Sequence, residues 1–553
     1  MVQESIRADS TNGIKAYLRG EFSHAVKIWR VGAQQEEPES LFRLALMRLE
    51  GSGLPVEEIK AVRELERASV LGYELAFPVL AKLYEEGGVG IPWEPEQAED
   101  LYSKTSEALK EIEVLADSED VFAQRVLGWM LAKGKGVVKD PLKAEGLLSK
   151  ALIQEDLVAG LYLAELHEHN EHLEKAERLL SEIQIRIEAS HGVLHPLLAQ
   201  AGHQLARVFF ASGKNEESEQ LYKKVINIRK KTLGEDHLYV AHTLNNLGVF
   251  YHQLGRYTDS ERQFLRVLDI KEKTLDKEHP DFVIILNNLA SLFTDQGRYL
   301  EAESFFKRSL VILENNYGRD HLDITMNLNS LAGIMIEQNR YSEAEQLLKK
   351  SLTISEKVQG SGHPDITLIL DTLGAIFFEQ GRFAEAEIHF QKALVNQEKA
   401  FGPEHPDNLF SIKNLADIYH YQGRFHEAKS LYKRMLMIQK KAFGPIHSDI
   451  ADTLNNLGLV YQELGRYSES EKLYSKALMI QEQTIDSEHP KFVESLTNIG
   501  IIFRMQGRYN EAESMHLKAL SIRKKVLGQE HDLVAQSIIN LANVFLEQGR
   551  YAE

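Results

Sequence analysis

The stretch from His279 to Asp320, "HPDFVIILNNLASLFTDQGRYLEAESFFKRSLVILENNYGRD", predicts the architecture of the chain, because much of the chain repeats its pattern every 42 residues. Histidines recur at this interval, at His195, His237, His279, His321, His363, His405, His447, His489 and His531. A constant period of this size indicates stacked structural repeats, none of which can bury its apolar face alone. The 553 residues are therefore predicted to form an array of similar units rather than several globular domains.

Each interval is predicted to contain two α-helices that pack against each other. Leu286, Leu289 and Phe293 have the spacing of one apolar helix face, which predicts the first helix and its buried side. Small residues stand where the two helices have to approach closely, at Ala290 in the first helix and Ala302 in the second. A larger side chain there would push the pair apart.

Glycines at fixed positions predict the two turns of each unit. Gly297 stands between the two helices, and the one exception at the equivalent positions is Asn339, the non-glycine residue that best tolerates left-handed backbone. Gly318 ends the second helix, and Asp276 and Asp486 replace glycine at that position in two other units. We expect both aspartates to adopt the same left-handed conformation.

The alternation of Ala290, Phe293, Gly297, Tyr299 and Ala302 resembles the tetratricopeptide repeat, whose usual period is 34 residues. The 42-residue version with "GRYxEAE" and "GxxHPD" looks like the variant found in kinesin light chains and many bacterial proteins. Before it, "ESLFRLALMRLEGSGLP" and "DVFAQRVLGWMLAKGKG" are similar to Sel-one-like repeats, which have a longer glycine loop. The resemblance implies an all-α, right-handed superhelical solenoid of antiparallel helix pairs, with the first helices on a concave wall.

Three segments follow from these patterns. Residues 1–38 are predicted to form a capping helical hairpin, residues 39–152 Sel-one-like repeats, and residues 153–553 nine complete tetratricopeptide units and a truncated tenth. An insertion around residues 105–120 lengthens one Sel-one-like unit. The tenth unit has a first helix but no partner for it, so we expect it to expose an apolar face and the chain to be a fragment.

Composition limits the classes of partner. Lys+Arg number 64 and Asp+Glu 82, and the formal charge of −18 repels phosphate backbones and anionic lipid surfaces, so we expect neither nucleic acid nor membrane as a partner. The chain has no cysteine and no apolar leader or spanning segment, and we expect a cytoplasmic protein. The oligomeric state and the identity of the partner are left open.

Asparagines on the first helices are the candidate binding residues. In tetratricopeptide repeats the position two before the small residue faces the groove, and here it and the position before it often carry asparagine. The predicted groove residues are Asn245, Asn246, Asn287, Asn288, Asn329, Asn414, Asn455, Asn456, Asn498 and Asn540. Each amide can donate to and accept from the backbone of an extended peptide. The alternative is that these amides bond neighbouring helices.

A second row of positions lies one turn earlier on the same helices. It reads His242, Ile284, Met326, Leu368, Phe410, Asp452, Glu494 and Gln536. Relatives that bind acidic C-termini carry Lys or Arg at this row, so a carboxylate clamp of that kind is not expected. The change from apolar to acidic residues predicts apolar anchors in the middle repeats and a preference for basic ligand residues later.

Other patterns have structural explanations. The arginines after each turn glycine, such as Arg298, are expected to pair with nearby glutamates, including Glu301, rather than to hold a phosphorylated ligand. Equivalent histidines of stacked units are too far apart to share a metal ion, and we expect them to begin helices instead. The "HEHNEH" cluster from His167 lacks metalloprotease spacing, and "GWMLAKGKGV" from Gly128 lacks the Ser or Thr of a phosphate loop.

We therefore expect a protein-interaction scaffold that binds a peptide segment or a partner domain in its groove, without cofactor, metal or catalytic residues. The alternative is a sensing or autoinhibitory arm of a larger signalling protein or enzyme whose effector part lies outside this chain. An enzyme within these residues would require a pocket with paired titratable groups, and the sequence contains no motif for one.

Overall fold

The computed structural model describes residues 12–88, 90–484 and 489–552, and at residue 365 only the backbone. The chain divides into two compact units, Met1–Asn316 and Tyr317–Glu553. The described residues of both units are helical apart from turns, loops and one isolated bridge between Gly88 and Ile91, which confirms the all-α class.

The first unit contains seventeen helices in its described residues. In chain order they are α1 (12–18), α2 (Phe22–Gln34), α3 (Pro38–Glu50), α4 (Glu58–Val70), α5 (Ala76–Glu86), α6 (Pro95–Glu107), α7 (Leu109–Asp117), α8 (Val121–Lys133), α9 (Pro141–Ile153), α10 (Leu157–His169), α11 (Leu173–His191), α12 (Pro196–Ala211), α13 (Asn215–Leu233), α14 (Leu238–Gln253), α15 (Tyr257–Thr274), α16 (Phe282–Asp295) and α17 (Tyr299–Tyr317). Consecutive helices pack as pairs, the arrangement of an α–α superhelix.

The second unit continues the pattern of long helix pairs. Its described helices are α18 (Leu322–Glu337), α19 (Tyr341–Gln359), α20 (Asp365–Glu379), α21 (Phe383–Phe401), α22 (Leu409–Tyr421), α23 (Phe425–Phe443), α24 (Ser448–Glu463), α25 (Tyr467–Thr484), α26 (Pro490–Met505), α27 (Tyr509–Leu527) and α28 (Asp532–Glu547). A short 3₁₀ turn, Pro406–Asn408, precedes α22. From α8 onward, the even-numbered helices are the first helices of their repeats and the odd-numbered ones are the second.

The small residues of the first helices allow an aromatic ring of the second helix to lie directly against the backbone. A Cβ added at Gly248 would lie 2.5 Å from the ring of Phe264, and one at Gly374 would lie 2.9 Å from the ring of Phe390. Both rings are buried. Close approach of the two helices therefore depends on these glycines, as the sequence predicts.

In both compact units of the chain, the turn between the two helices of a repeat has left-handed backbone. Gly297 has φ 71° and Gly381 has φ 72°, and Asn339, the exception in the series, has φ 57° as predicted. At the equivalent position of the first tetratricopeptide unit, Glu171 has φ 60°. Glutamate adopts left-handed backbone there despite a steric cost that glycine does not have. The turn therefore requires this backbone conformation whichever residue occupies the position.

The prediction for Asp276 is wrong. Helix α15 ends at Thr274, and Leu275 adopts extended backbone with φ −120° and ψ 156°. The chain leaves the helix before Asp276 is reached, so no left-handed residue is required there, and Asp276 does not adopt positive φ. Asp486 lies outside the described residues.

The periodic histidines begin the first helices. Nδ1 of the imidazole accepts a hydrogen bond from the backbone N–H two residues later, for example from Leu197 to His195 and from Tyr239 to His237, each at 3.2 Å. This bond satisfies one of the amide donors that have no partner at a helix N-terminus. Helix entry, rather than metal binding, explains the 42-residue interval.

The N-terminal repeats contact the later ones within the first unit. Nε2 of His195 lies 3.2 Å from the carbonyl oxygen of Gly51, although 144 residues separate them. The ring of Phe22 lies 4.6 Å from that of His191. The predicted insertion around residues 105–120 is a real element, because α7 adds a short helix between α6 and α8.

The apolar face predicted for the last helix is present. On α28 the side chains of Ile538, Ile539 and Leu546 are exposed, while Val534 and Val544 pack inward. The helix thus has apolar residues on both sides.

Candidate peptide-binding surface

Two columns of side chains run along the first helices, and they occupy different environments. The outer asparagine column lies two residues before the small residue and comprises Asn246, Asn288, Asn414, Asn456, Asn498 and Asn540. The inner asparagine column lies one residue earlier and comprises Asn245, Asn287, Asn329 and Asn455. Asn455 is buried, and the other nine are half-buried.

Members of the inner column link consecutive first helices. Nδ2 of Asn288 donates to Oδ1 of Asn245 at 2.9 Å, and Nδ2 of Asn455 donates to Oγ of Ser495 at 2.7 Å. In each case the partner of the inner-column residue lies on the first helix of the next repeat. For Asn245 and Asn455 the geometry is that of the alternative considered from the sequence, in which the amide bonds a neighbouring helix.

Asp371 occupies the inner-column position on α20, where the sequence pattern predicts no binding residue. It is buried and accepts a hydrogen bond from Oγ of Ser411 at 2.8 Å. Burial raises the pKa of its carboxyl to about 6, against a smaller lowering by the Ser411 hydroxyl. The link to the next first helix is thus repeated with a carboxyl group in place of an amide.

The outer column divides into paired and unpaired amides. Nδ2 of Asn246 lies 3.0 Å from Nε2 of His203, and Asn288 is engaged with Asn245. In the described part of the chain, the side-chain amides of Asn414, Asn456 and Asn498 make no hydrogen bond. These three lie on α22, α24 and α26, three successive first helices of the second unit.

The row one turn earlier contains exposed apolar side chains. In the second unit Met326 is 70% exposed, Leu368 69% and Phe410 54%. In the first unit Ile284 is 56% exposed. Met326, Leu368 and Phe410 place large apolar groups in solvent on three successive first helices of the second unit.

The acidic end of that row is partly neutralised. Nζ of Lys491, on α26, forms an ion pair with Asp452 on α24. This pairing weakens the sequence-based expectation of a basic ligand at Asp452, because the carboxylate already has a cation as partner. Glu494, the next residue of the row, is exposed.

The arginines after the turn glycines form a network with glutamates, as expected. Arg424 Nη1 lies 2.9 Å from Glu387 of the preceding unit, its Nε lies 3.1 Å from Glu427, and its guanidinium stacks 4.0 Å from the centre of the Tyr419 ring. Equivalent contacts occur at Arg298. Exposed pairs of this kind each contribute about 0–1 kcal/mol, and the arginines serve to join units.

Side chains on the later turns of the same first helices were missed from the sequence. Gly333, Glu337 and Glu379 face outward on α18 and α20, and Tyr421 takes the position of these glutamates on α22. An isolated glycine inside the helical pattern of α18 was the available signal, because such a glycine costs helix stability and calls for a reason.

The described residues contain no group of three His, Asp or Glu side chains arranged to hold a metal ion. His167 of the "HEHNEH" segment is buried, and burial lowers the pKa of its imidazole. The "GWMLAKGKGV" segment is the end of α8 followed by a loop in which Gly134 and Gly136 have positive φ, at 73° and 68°. Among the described helices, none is both long enough and apolar enough to cross a membrane.

Comparison with solved structures gives matches to other repeat proteins. A putative kinesin light chain of Podosopora anserina with nearly identical TPR-like repeats is 26% identical, covers 37% of this chain and 98% of its own, and has a TM-score of 0.34. BtubC (BKLC) from P. vanneervenii is 21% identical over 42% of this chain and 91% of its own, with a TM-score of 0.36.

The antigen c5321 of uropathogenic Escherichia coli, which displays an SLR fold, is 17% identical over 94% of this chain and 96% of its own, with a TM-score of 0.39. No curated protein matches the chain.

Models of two repeat families match the chain directly. The Sel1 repeat model matches residues 38–72, 73–108 and 121–156. The tetratricopeptide repeat model matches residues 157–231, 202–273, 281–357, 365–441, 449–525 and 492–553. Since these last matches cover well over half of the sequence and coincide with the paired helices, the chain belongs to the tetratricopeptide repeat family.

Proposed function

We propose that this chain is an interaction scaffold that binds a peptide segment of a partner protein along the exposed faces of its first helices. Tetratricopeptide and Sel1 repeats are typically protein-interaction scaffolds and are generally non-catalytic. The partner is therefore a protein, and the finer question is which side chains hold it.

The observation that carries the proposal is the set of unpaired amides at Asn414, Asn456 and Asn498. Each amide offers a donor and an acceptor, the same pair of groups that a peptide backbone presents. Nδ2 of Asn414 is buried without a hydrogen-bond partner, which costs free energy, and a ligand that supplies the missing hydrogen bond recovers it. Three such groups on successive helices suit an extended chain that crosses those helices.

The exposed apolar row supports the same surface. Met326, Leu368 and Phe410 offer apolar area beside the amides, and burial of such area contributes about 25 cal/mol per Å² before the costs of association. We propose that the apolar residues anchor the ligand and that the amides select its backbone conformation. Glu494 adds a preference for a basic ligand residue at the far end of the row.

A selection experiment on the full chain tests this proposal. Displayed random peptides are selected on the immobilised protein, and the affinity of the enriched peptides is measured for the native chain and for the triple variant Asn414→Ala, Asn456→Ala and Asn498→Ala. We expect the variant to bind at least about tenfold more weakly, because each lost backbone contact is worth about 0.5–1.5 kcal/mol. The helicity and the melting temperature should change little.

Two results would contradict the proposal. Failure of any peptide to be enriched would remove the peptide-binding role, and a melting temperature that falls together with the affinity would show that the amides serve the fold. We also propose that the protein works in the cytoplasm, where its net charge of −18 would oppose adsorption to anionic lipid surfaces. Cell fractionation with a tagged full chain tests that part.

A further inference from the structure

The first helices α18 and α20 carry an open trough that is chemically different from the amide-bearing helices that follow. On one side stand Met326 and Leu368, both largely exposed. Three helical turns further along the same helices stand Glu337 and Glu379, also exposed. At ~1.5 Å of rise per residue the two sides are about 16 Å apart, wide enough for an α-helix with its side chains, about 10–12 Å across.

The floor of this trough is made of small residues, at Ser330 and Gly333 on α18 and at Thr372 and Ala375 on α20. A Cβ built on Gly333 would meet nothing within 4 Å. Gly333 therefore faces open space and is not needed for packing within the protein. A helical glycine that packs against nothing costs about 1 kcal/mol relative to alanine, and at this position it leaves room for a ligand to approach the backbone of α18 closely.

The polar groups of the floor are already satisfied by their own helices. Oγ of Ser330 donates to the carbonyl oxygen of Met326 at 3.0 Å, and Oγ1 of Thr372 donates to that of Leu368 at 2.7 Å. These two hydroxyl groups therefore need no hydrogen bond from a ligand, unlike the unpaired amides of Asn414, Asn456 and Asn498. An apolar ligand face can cover it without leaving a hydrogen bond unmade.

The far side of the trough is acidic. Neither Glu337 nor Glu379 takes part in an ion pair within the described part of the chain. On α22 the equivalent position is Tyr421, which is exposed and packs against Phe378 and Phe383 with ring centres 5.4 and 6.0 Å apart. Two uncompensated carboxylates beside an apolar floor are complementary to a segment with cations along one edge.

We propose that the trough formed by α18 and α20 binds an amphipathic α-helical segment of the partner protein whose apolar face is bordered by lysine or arginine. Neighbouring packed helices lie about 8–10 Å apart, and residues seven apart on a ligand helix are separated by ~10.5 Å, so one apolar ligand residue per repeat reaches Met326, Leu368 and Phe410 in turn. This inference rests on the proposed scaffold function. It specifies the chemistry of the partner segment that binds to the second compact unit of this chain.

Labelled synthetic helices of about 20 residues, ~30 Å long, test it by fluorescence anisotropy on the full chain. The first probe has leucines at helical spacing bordered by lysines, the second has glutamate in place of lysine, and the third has alanine in place of leucine. We expect only the first to bind, because only it matches both the apolar floor and the acidic side.

Two variants block the site and two serve as matched controls. Gly333→Trp fills the floor and should weaken binding at least about tenfold, while Gly333→Ala should leave it within about twofold. Glu337→Lys with Glu379→Lys should weaken binding by a similar factor, while the charge reversals Glu356→Lys and Glu482→Lys on the second helices should not. If the tryptophan variant loses helicity, the exposed truncations Met326→Ala and Leu368→Ala replace it.

Equal or tighter binding of the glutamate probe, equal binding of the alanine probe, or undiminished binding by both the floor variant and the charge variant would each overturn the inference. Its failure can be told from failure of the scaffold proposal. If peptides selected on the full chain bind at native affinity while the lysine-bordered helix does not bind, the scaffold stands and the helix-binding trough does not.

Discussion

Nδ1 of His447 accepts a hydrogen bond from the backbone N–H of Asp449 at 3.3 Å, and this bond begins helix α24. Seven other periodic histidines make the same contact, at His195, His237, His279, His321, His405, His489 and His531. A ring nitrogen can accept only when it carries no proton, so every one of these caps requires a neutral imidazole.

Removal of one cap should weaken the second unit locally. We expect His447→Ala to lower the free energy of unfolding by about 1 kcal/mol, because the amide of Asp449 loses its acceptor. His447→Asn should lose much less, since its side-chain oxygen can accept the same bond. Urea midpoints measured by circular dichroism check both variants, and equal losses would show that stacking on Phe443, rather than the cap, is the contribution of His447.

Stability should fall on mild acidification. Burial lowers the pKa of His195, to about 4, and also lowers the pKa of His237 and His279, so the unfolded chain binds protons near pH 6.5 that the folded chain does not. The stabilisation from these groups is complete above about pH 6.5 and declines as the pH falls toward about 4. Thermal melts between those values should show the decline, and the variant His195→Asn should reduce it. A decline as steep in His195→Asn as in the native chain would contradict the cap model.

Asp371 acts in the opposite direction. Its carboxyl has a pKa raised to about 6, so above that pH the folded chain must bury a charge that the unfolded chain keeps in water. We expect Asp371→Asn to raise the melting temperature at pH 7 and to have little effect near pH 4, because asparagine can still accept from Ser411. Other repeats already have asparagine at the equivalent position, for example Asn245, Asn329 and Asn455. A loss of stability at pH 7 would refute this.

His516 occupies a core position at which several other repeats have phenylalanine. It is buried against Gly500, and both of its ring nitrogens lie without a partner among the described residues. Burial lowers its pKa to about 4. His516→Phe should stabilise the protein by about 1–3 kcal/mol, since no buried polar atom is left unpaired. The urea midpoint measures the gain, and the Gly374–Phe390 pair shows that phenylalanine fits opposite glycine.

The adjacent residues Asn455 and Asn456 provide a test of structure against binding on one helix. Asn455 donates to Ser495 of the next first helix, so Asn455→Ala should cost about 1 kcal/mol of stability. Asn456 makes no hydrogen bond in the described part of the chain, so Asn456→Ala should leave the melting temperature almost unchanged and weaken peptide binding. The reverse pattern would assign the roles the other way round.

The helical hairpin, its 42-residue repetition, the left-handed turn at Asn339 and the helix start at His447 can be predicted from the sequence, because they depend on backbone conformation and on contacts within a few residues. The sequence could not separate Asn455 from Asn456, since the partner of Asn455 lies about one repeat away and only the packing of neighbouring repeats leaves Asn456 without one among the described residues. The pairing of Asp452 with Lys491, the burial of Asp371 and the open space above Gly333 were decided by the same packing. Side chains some 40 residues apart in the sequence meet only after the units have stacked, and the tertiary structure therefore decides which polar groups are used internally and which are open to a partner.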